Sequence, residues 1–282
     1  MLKISTRRKV AAARLLSRAV CLTRKAFGRS ATGVFERGGL RYDLDLAEGI
    51  DLAIYLFGTF EKEVAGYCRE VLREGDHALD VGANIGAHSL NMARLVGARG
   101  LILACEPTGY AFGKLMRNLA LNPSLASRVA ASQVFLASRA DEALPDGIPS
   151  SWPLASSAQA EVVASQGVKK PTGGASVTTL DAFVATQGDA PLRLLKIDVD
   201  GYEMDVLQGG GQVLSRNHPA IILELAPYSA AAGEGTMIQI LEMLRATGYQ
   251  SVTHVTHNFP ITETRSILAR IPRDGSINVL IR

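Results

Sequence analysis

The residues Leu79-Asp80-Val81-Gly82-Ala83-Asn84-Ile85-Gly86 set an acid near the end of an apolar run that leads directly into a turn holding two glycines. Glycine lets a backbone approach a ligand closely and adopt dihedrals closed to other residues. Open α/β sheets bind ligands beyond the carboxyl ends of their strands. A small molecule is therefore expected across Gly82, Ala83, Asn84 and Gly86. A dinucleotide would place its pyrophosphate over such a turn, against a helix N-terminus, where Asp80 would repel it. S-adenosylmethionine has no phosphate. Its α-ammonium and sulfonium are cationic, and its carboxylate can take the open amides. A second apolar run, Leu101–Cys105, ends in Glu106-Pro107, and a carboxylate there can accept both ribose hydroxyls. Asp80 and Glu106 together, with no GxGxxG in the chain, favour S-adenosylmethionine over the nicotinamide cofactor of a dehydrogenase. Either acid alone could be a helix cap or a solvated group.

A second set of acids follows later apolar runs: Asp198 and Asp200 after Leu192–Ile197, Glu203 one turn on, and Glu224 in Ala220–Leu225. Methyl transfer from a sulfonium is an in-line displacement, for which alignment alone can recover about 7–11 kcal/mol of barrier. A hydroxyl acceptor is a poor nucleophile while protonated, so a base or a metal that lowers its pKa would add to this. Asp198, Asp200, Glu203 and Glu224 are the candidate catalytic residues. The same oxygens could hold a divalent cation such as magnesium, although no metal site is assigned. They could also be structural, with Asp198 or Asp200 capping a helix and Glu203 closing a capping interaction. His88, just past the glycine turn, could approach the cofactor or simply pack. Asn84 could bond the bound amino-acid moiety or hold its own loop. His254 and His257, read on one strand, would face opposite ways and form no metal pair.

Positioning these groups requires alternating strands and helices. Short apolar runs at His77–Val81, Leu101–Cys105, Leu192–Ile197 and Ala220–Leu225 alternate with helix-period segments at Gly86 to Val96, Tyr110 to Leu121 and Met237 to Thr247. That pattern implies crossover connections and a parallel sheet. A further apolar run covers Val129 to Ala137, and Gln250 to Val255 can pair antiparallel with Ile277–Ile281. Residues 33 to 63 read as a short antiparallel element followed by a loop into a helix. The stretch 144–176, rich in Pro, Gly, Ser and Ala, has no sustained period and reads as a surface excursion, either a lid or a plain insertion.

The chain has 282 residues, 47% of them hydrophobic, enough for one large core; the expected division is a basic segment 1–32 and a domain 33–282. Residues 1 to 30 carry nine Lys or Arg and no Asp or Glu, which leaves 21 basic against 27 acidic residues elsewhere, a net −6. The overall charge of +3 thus belongs to a tail, and a nucleic-acid partner is not expected of the body. On a helical wheel Arg7, Arg14, Arg18, Lys25 and Arg29 share a sector opposite Leu15, Leu16, Ala19, Leu22, Ala26 and Phe27. Such a helix can lie on an anionic membrane, imitate a transit peptide, or pack on its own domain or a partner. Cys21, Cys68 and Cys105 are widely spaced, without a CxxC pair, and suit a reducing cytoplasm. Oligomeric state does not follow from these features.

Spaced blocks through roughly residues 34 to 226 resemble the FkbM family of methyltransferases. They run from Leu44-Asp45-Leu46-Ala47-Glu48-Gly49-Ile50-Asp51 and Phe57-Gly58-Thr59-Phe60-Glu61 through Asp80 to Gly86 and Glu106-Pro107. Asn118-Leu119-Ala120-Leu121-Asn122, Thr179-Leu180-Asp181, Lys196 to Glu203 and Ile221-Ile222-Leu223-Glu224 complete the series. The resemblance implies an α/β, Rossmann-like class I methyltransferase fold: a doubly wound seven-stranded sheet with the last strand antiparallel. It implies S-adenosylmethionine as donor, O-methylation of a sugar, glycan or polyketide-like small molecule, and a place for Glu61 over the cofactor. Asp200 stands where the family pattern leads one to expect Glu. The competing readings are a nicotinamide-dependent dehydrogenase and a noncatalytic scaffold that kept the fold and attaches to membranes through residues 1–30.

Overall fold

Runs of five or six apolar residues are too short for an independent helix, and with both faces covered they pair as strands of a buried parallel sheet. The computed structural model describes residues 6–154, 167–188, 190–227, 233–272 and 275–282. Helix α1 (Thr6–Ala26) precedes the hairpin β1 (Thr32–Arg37) and β2 (Leu40–Asp45), then α2 (Gly49–Phe57) and α3 (Lys62–Val71). Alternation follows as β3 (His77–Val81), α4 (Ala87–Leu95), β4 (Leu101–Cys105), α5 (Gly109–Ala120), α6 (Pro123–Ala126) and β5 (Val129–Ser132). The middle of the chain holds β6 (Val134–Ala137), β7 (Gly147–Ser151), β8 (Val168–Pro171), β9 (Ser176–Thr179) and α7 (Leu180–Ala185). The chain ends with β10 (Leu192–Ile197), α8 (Glu203–Gln208), α9 (Gly211–Asn217), β11 (Ala220–Leu225), α10 (Glu234–Ala246), β12 (Ser251–His254), β13 (His257–Pro260), α11 (Thr264–Leu268) and β14 (Ile277–Ile281).

The main sheet has the order β13-β12-β14-β11-β10-β3-β4-β5. Strands β5, β4, β3, β10 and β11 are mutually parallel, and β14 lies antiparallel between β11 and β12. This is the doubly wound sheet with its last strand antiparallel that the resemblance implies, plus an eighth strand, because β12 turns back on itself as β13. That hairpin corrects the reading of His254 and His257 on one strand. A turn at Val255, with φ 57°, separates them, and they face each other across the ladder. The apolar run at Val129 to Ala137 is likewise two strands: it breaks at Gln133, so that β5 edges the main sheet while β6 pairs in parallel with β9. The 144–176 excursion contributes the antiparallel pair β7 and β8, and its centre, 155–166, lies outside the described residues.

Strand alternation sends Leu79, Val81, Leu195, Ile197 and Leu223 to one core and Ala78, Ile102, Leu194 and Ile222 to the other, so both sheet faces are covered by helices. Cys68 and Cys105 are buried free thiols, and Cys21 is half-buried and free. No helix among the described residues is long and apolar enough to cross a membrane.

Two asparagines of α5 and the turn after it fasten the hairpin to the sheet. Asn118 Oδ1 accepts the Asp43 amide (2.8 Å), and its Nδ2 donates to the Ile85 carbonyl (2.8 Å) in the glycine turn. Asn122 takes both backbone groups of Arg41 in the same way. Asn118 is fully buried, so truncation leaves two backbone groups without partners inside the fold. Asn118→Ala should lower stability by about 1–3 kcal/mol per unsatisfied group, read as a shifted denaturant midpoint; an unchanged midpoint would show that the clasp is dispensable.

Candidate active site

Beyond the carboxyl ends of β3, β4, β10 and β11 lies a cavity of about 390 Å³. Its floor is the glycine turn. Gly82 has φ 77°, and a Cβ there would come within 1.8 Å of the Asp198 carbonyl, so only glycine lets the two strand ends approach so closely. Gly86 serves packing instead: the space its side chain would occupy holds Leu115. Asn84 turns with φ 48°, and its amide donates to Glu106 Oε2 (3.0 Å). Thr108, which caps α5, donates to Glu106 Oε1 from its amide (2.9 Å) and hydroxyl (2.6 Å). Burial pushes the Glu106 carboxyl above its ordinary range, and these donors draw it back only in part.

Asp80 does not face the cavity. It is fully buried, accepts a hydrogen bond from Ser89 Oγ (2.6 Å), and sits 3.0 Å from Lys196 Nζ. Parallel pairing of β3 and β10 puts Asp80 directly opposite Lys196. Burial pushes Asp80 up, but the Lys196 ammonium and the other partners hold it below the ordinary carboxylate value. Its expected contact with a cationic ligand is therefore replaced by an internal cation. Burial alone would lower Lys196; the carboxylates of Asp80 and Asp198 outweigh it and hold the ammonium above its ordinary range. Lys196 Nζ lies 3.6 Å from Asp198 Oδ2, which ties the pair to the cavity wall.

Asp198, Asp200 and Glu224 all line the cavity. Burial and mutual repulsion push Asp200 and Glu224 well above the carboxylate range, and burial raises Asp198 despite Lys196. Glu203 is not part of this wall. Its Oε1 accepts the amides of Val199 (3.3 Å) and Gly201 (3.1 Å), which clamps the loop carrying the two aspartates, the capping alternative expected for it. Asp200 has φ 51°, a left-handed conformation that Asp tolerates better than most residues, which suits the short side chain found there. Among the described residues no group of three or more His, Cys, Asp or Glu side chains could hold a metal ion.

Glu61 lines the cavity from the start of α3, also left-handed at φ 43°. Its Oε2 lies 3.3 Å from His88 Nε2, and its Oε1 accepts from Asn278 Nδ2 (2.9 Å). Burial raises this carboxyl, but the contacts with His88, Lys196 and Asn278 bring it net below its ordinary value. Ala83 and Pro107 complete the floor, joined by residues that the sequence did not single out. Trp152 is one of these, held at the cavity because its amide donates to Glu48 Oε2 (2.8 Å) and its carbonyl accepts from the Gly49 amide (2.9 Å). Lys196 stands in the resemblance block Lys196 to Glu203 with no role assigned to it; what marks it is a lysine inside an apolar strand, two residues before Asp198. A wider depression of about 710 Å³ lies beside α7 and α9, but its acid, Asp181, is taken by the amides of Gln212 and Val213.

Removing one half of the buried Asp80–Lys196 pair strands the other charge. Lys196→Met is expected to cost about 3–5 kcal/mol in urea unfolding, and pairing it with Asp80→Asn should recover much of that loss; additive losses would mean that the two groups are not coupled.

Comparison with known proteins places this geometry. The family model "Methyltransferase FkbM domain" matches residues 80–251. The structure of methyltransferase FkbM from Methylobacillus flagellatus KT is similar at 14% identity and TM-score 0.46, covering 77% of this chain and 50% of that one, so this chain spans half its length. M. jannaschii TYW2, solved in complex with AdoMet, aligns at 14% identity and TM-score 0.45 over 90% of this chain and 85% of its own. Precorrin-6y C5,15-methyltransferase from Geobacter metallireducens GS-15 aligns at 16% identity and TM-score 0.43, with coverages of 79% and 92%. No curated protein matches the sequence. With the family match running from the end of β3 to the start of β12, more than half of the chain and including the tips of β3, β4, β10 and β11, the chain belongs to the FkbM family of S-adenosylmethionine-dependent methyltransferases.

Proposed function

We propose that the protein methylates a hydroxyl oxygen on a sugar, glycan or polyketide-like small molecule, with no nucleic acid as acceptor, and that it works in the cytoplasm. The observation that carries this reading is the set of carboxylates Asp198, Asp200 and Glu224 on one wall of the cavity, acids whose ionised forms can take a proton from an alcohol. An amine or thiol acceptor would need less help from a base. Trp152 and Phe60 add aromatic surface for a ring-shaped acceptor.

The cavity suits the donor by its own chemistry. Glu61, Glu106, Asp198, Asp200 and Glu224 face it against Lys196 and His88, an acidic excess that favours a cation and disfavours a pyrophosphate. Glu106 would take the ribose hydroxyls, and the turn Gly82-Ala83-Asn84 would offer its backbone to the amino-acid part. Bound S-adenosylmethionine supplies the electrophilic methyl group on a sulfonium. The residues of this chain would then orient the acceptor, exclude water beneath Trp152 and hold the released proton on a carboxylate.

Two predictions follow from these charges. Asp200 and Glu224 have folded pKa values above their unfolded values near about 4. Their contribution to stability is therefore complete below that pH and lost as pH rises through the folded values. A cationic donor favours the ionised forms, so the rise in melting temperature on adding S-adenosylmethionine should grow from about pH 5 to about pH 8, with proton release on binding. A donor effect that shrinks with pH would contradict the acidic cradle. For the chemistry, Glu224→Gln should lower the transfer of labelled methyl at saturating donor by about 10²–10⁴ while flattening the pH dependence of donor binding. Mass spectrometry of products from candidate glycans and polyketides checks the acceptor; methyl found on nitrogen or carbon would sink the oxygen assignment, and methyl on nucleic acid the acceptor class.

A further inference from the structure

Helix α1 packs on the domain with its polar and small side rather than its most apolar one. Ala13, Val20 and Cys21 meet the core, Ser17 Oγ donates to the Leu46 carbonyl (2.8 Å), and Arg24 Nε donates to the Ser30 carbonyl (2.6 Å) with its guanidinium 4.8 Å from the centre of the Phe35 ring. At 3.6 residues per turn this leaves Ala11, Ala12, Leu15, Ala19, Leu22 and Ala26 as a continuous outward crest. Leu15 is 67% exposed, Leu22 68%, and Phe27 just past the helix 77%. One edge of the crest carries the exposed Arg18 and Lys25, seven residues apart and hence on the same side, and residues 1 to 30 contain no acidic group.

From this arrangement we infer that the outer side of α1 seats on an anionic lipid surface, its leucines entering the headgroup layer and Arg18 and Lys25 meeting the lipid charges. An apolar strip bordered by cations fits such a surface in both shape and sign. A second copy of the chain fits worse, because antiparallel pairing of two such crests sets each basic edge against its own like charges. The opposite side of the same helix matters to the active site: Val10 and Ala13 line the cavity that holds the donor in the reading above. The helix is thus a wall shared by the lipid surface and the cavity, and a methyl acceptor embedded at headgroup level would meet the enzyme there.

The test uses the full chain without donor, so that it stands apart from the methyl-transfer reading. Sedimentation with vesicles of phosphatidylcholine plus phosphatidylserine should pellet the protein, and vesicles of phosphatidylcholine alone or high salt should weaken partitioning by about tenfold or more. Leu15→Ser with Leu22→Ser, and separately Arg18→Glu with Lys25→Glu, should each reduce binding by about tenfold or more while melting temperature and S-adenosylmethionine affinity stay unchanged. Failure to pellet with the mixed vesicles overturns the inference, as does equal pelleting of the variants. A dimer in gel filtration that the leucine variant converts to monomer, without vesicle binding, overturns it in favour of a second copy.

Discussion

The ion pair between Asp80 and Lys196 is the constraint on which the site is built. Parallel pairing sets the two residues side by side, both essentially without solvent, so their charges have little but each other, Ser89 and Asp198 to answer them. A buried pair of this kind is weak evidence for stability, since desolvation offsets much of the attraction. Its value here is positional. Lys196 reaches from Asp80 toward Asp198 and the carbonyl of Gly82, and so links the ends of β3 and β10 beneath the cavity floor. A hydrophobic pair of similar volume could fill the space but could not aim Asp198.

With Asp80 neutralised internally, the negative charge that meets a ligand comes from the other acids. Glu106 is fixed by the Asn84 amide and by Thr108, Glu61 by His88 and Asn278, and the aspartate loop by Glu203. Asp198, Asp200 and Glu224 crowd together on the remaining wall, where Lys196 lies 3.6 Å from Asp198. Burial and crowding raise the proton affinity of Asp200 and Glu224, while the contacts of Glu61 with His88, Lys196 and Asn278 bring that carboxyl below its ordinary value. One cavity thus holds carboxylates of unlike proton affinity, the condition that the proposed division between binding a cationic donor and taking a proton would use.

The sequence revealed the strands closely, because a continuous apolar run bounded by turn residues has few other fates in a doubly wound sheet; His77–Val81, Leu101–Cys105, Leu192–Ile197, Ala220–Leu225 and Ile277–Ile281 are strands with those same ends. It revealed the glycine turn and Glu106 as well, since both lie at strand ends. It misled at Asp80, because an acid at a strand tip looks the same whether it faces a ligand or a lysine on the neighbouring strand, and only register separates the two. The same limit hid Trp152, which reaches the cavity through an excursion with no hydrophobic period of its own. Glu203 could be read either way from spacing, and hydrogen bonds to the Val199 and Gly201 amides decide it.

Three non-glycine residues at the cavity, Glu61, Asn84 and Asp200, hold left-handed backbone conformations. Such conformations cost about 1–3 kcal/mol each and persist only where the surroundings over-determine them. The surroundings here do so. Asn84 is fixed by Glu106, Glu61 by His88 and Asn278, and Asp200 lies between two amides that bond Glu203. For Asn84 and Glu61 the partner comes from a different strand or helix, so those conformations are stabilised by the assembled sheet, whereas Asp200 is held locally by Glu203. The site therefore cannot form ahead of the fold: the carboxylates reach their cavity positions only once β3, β10, β11 and β14 are in register.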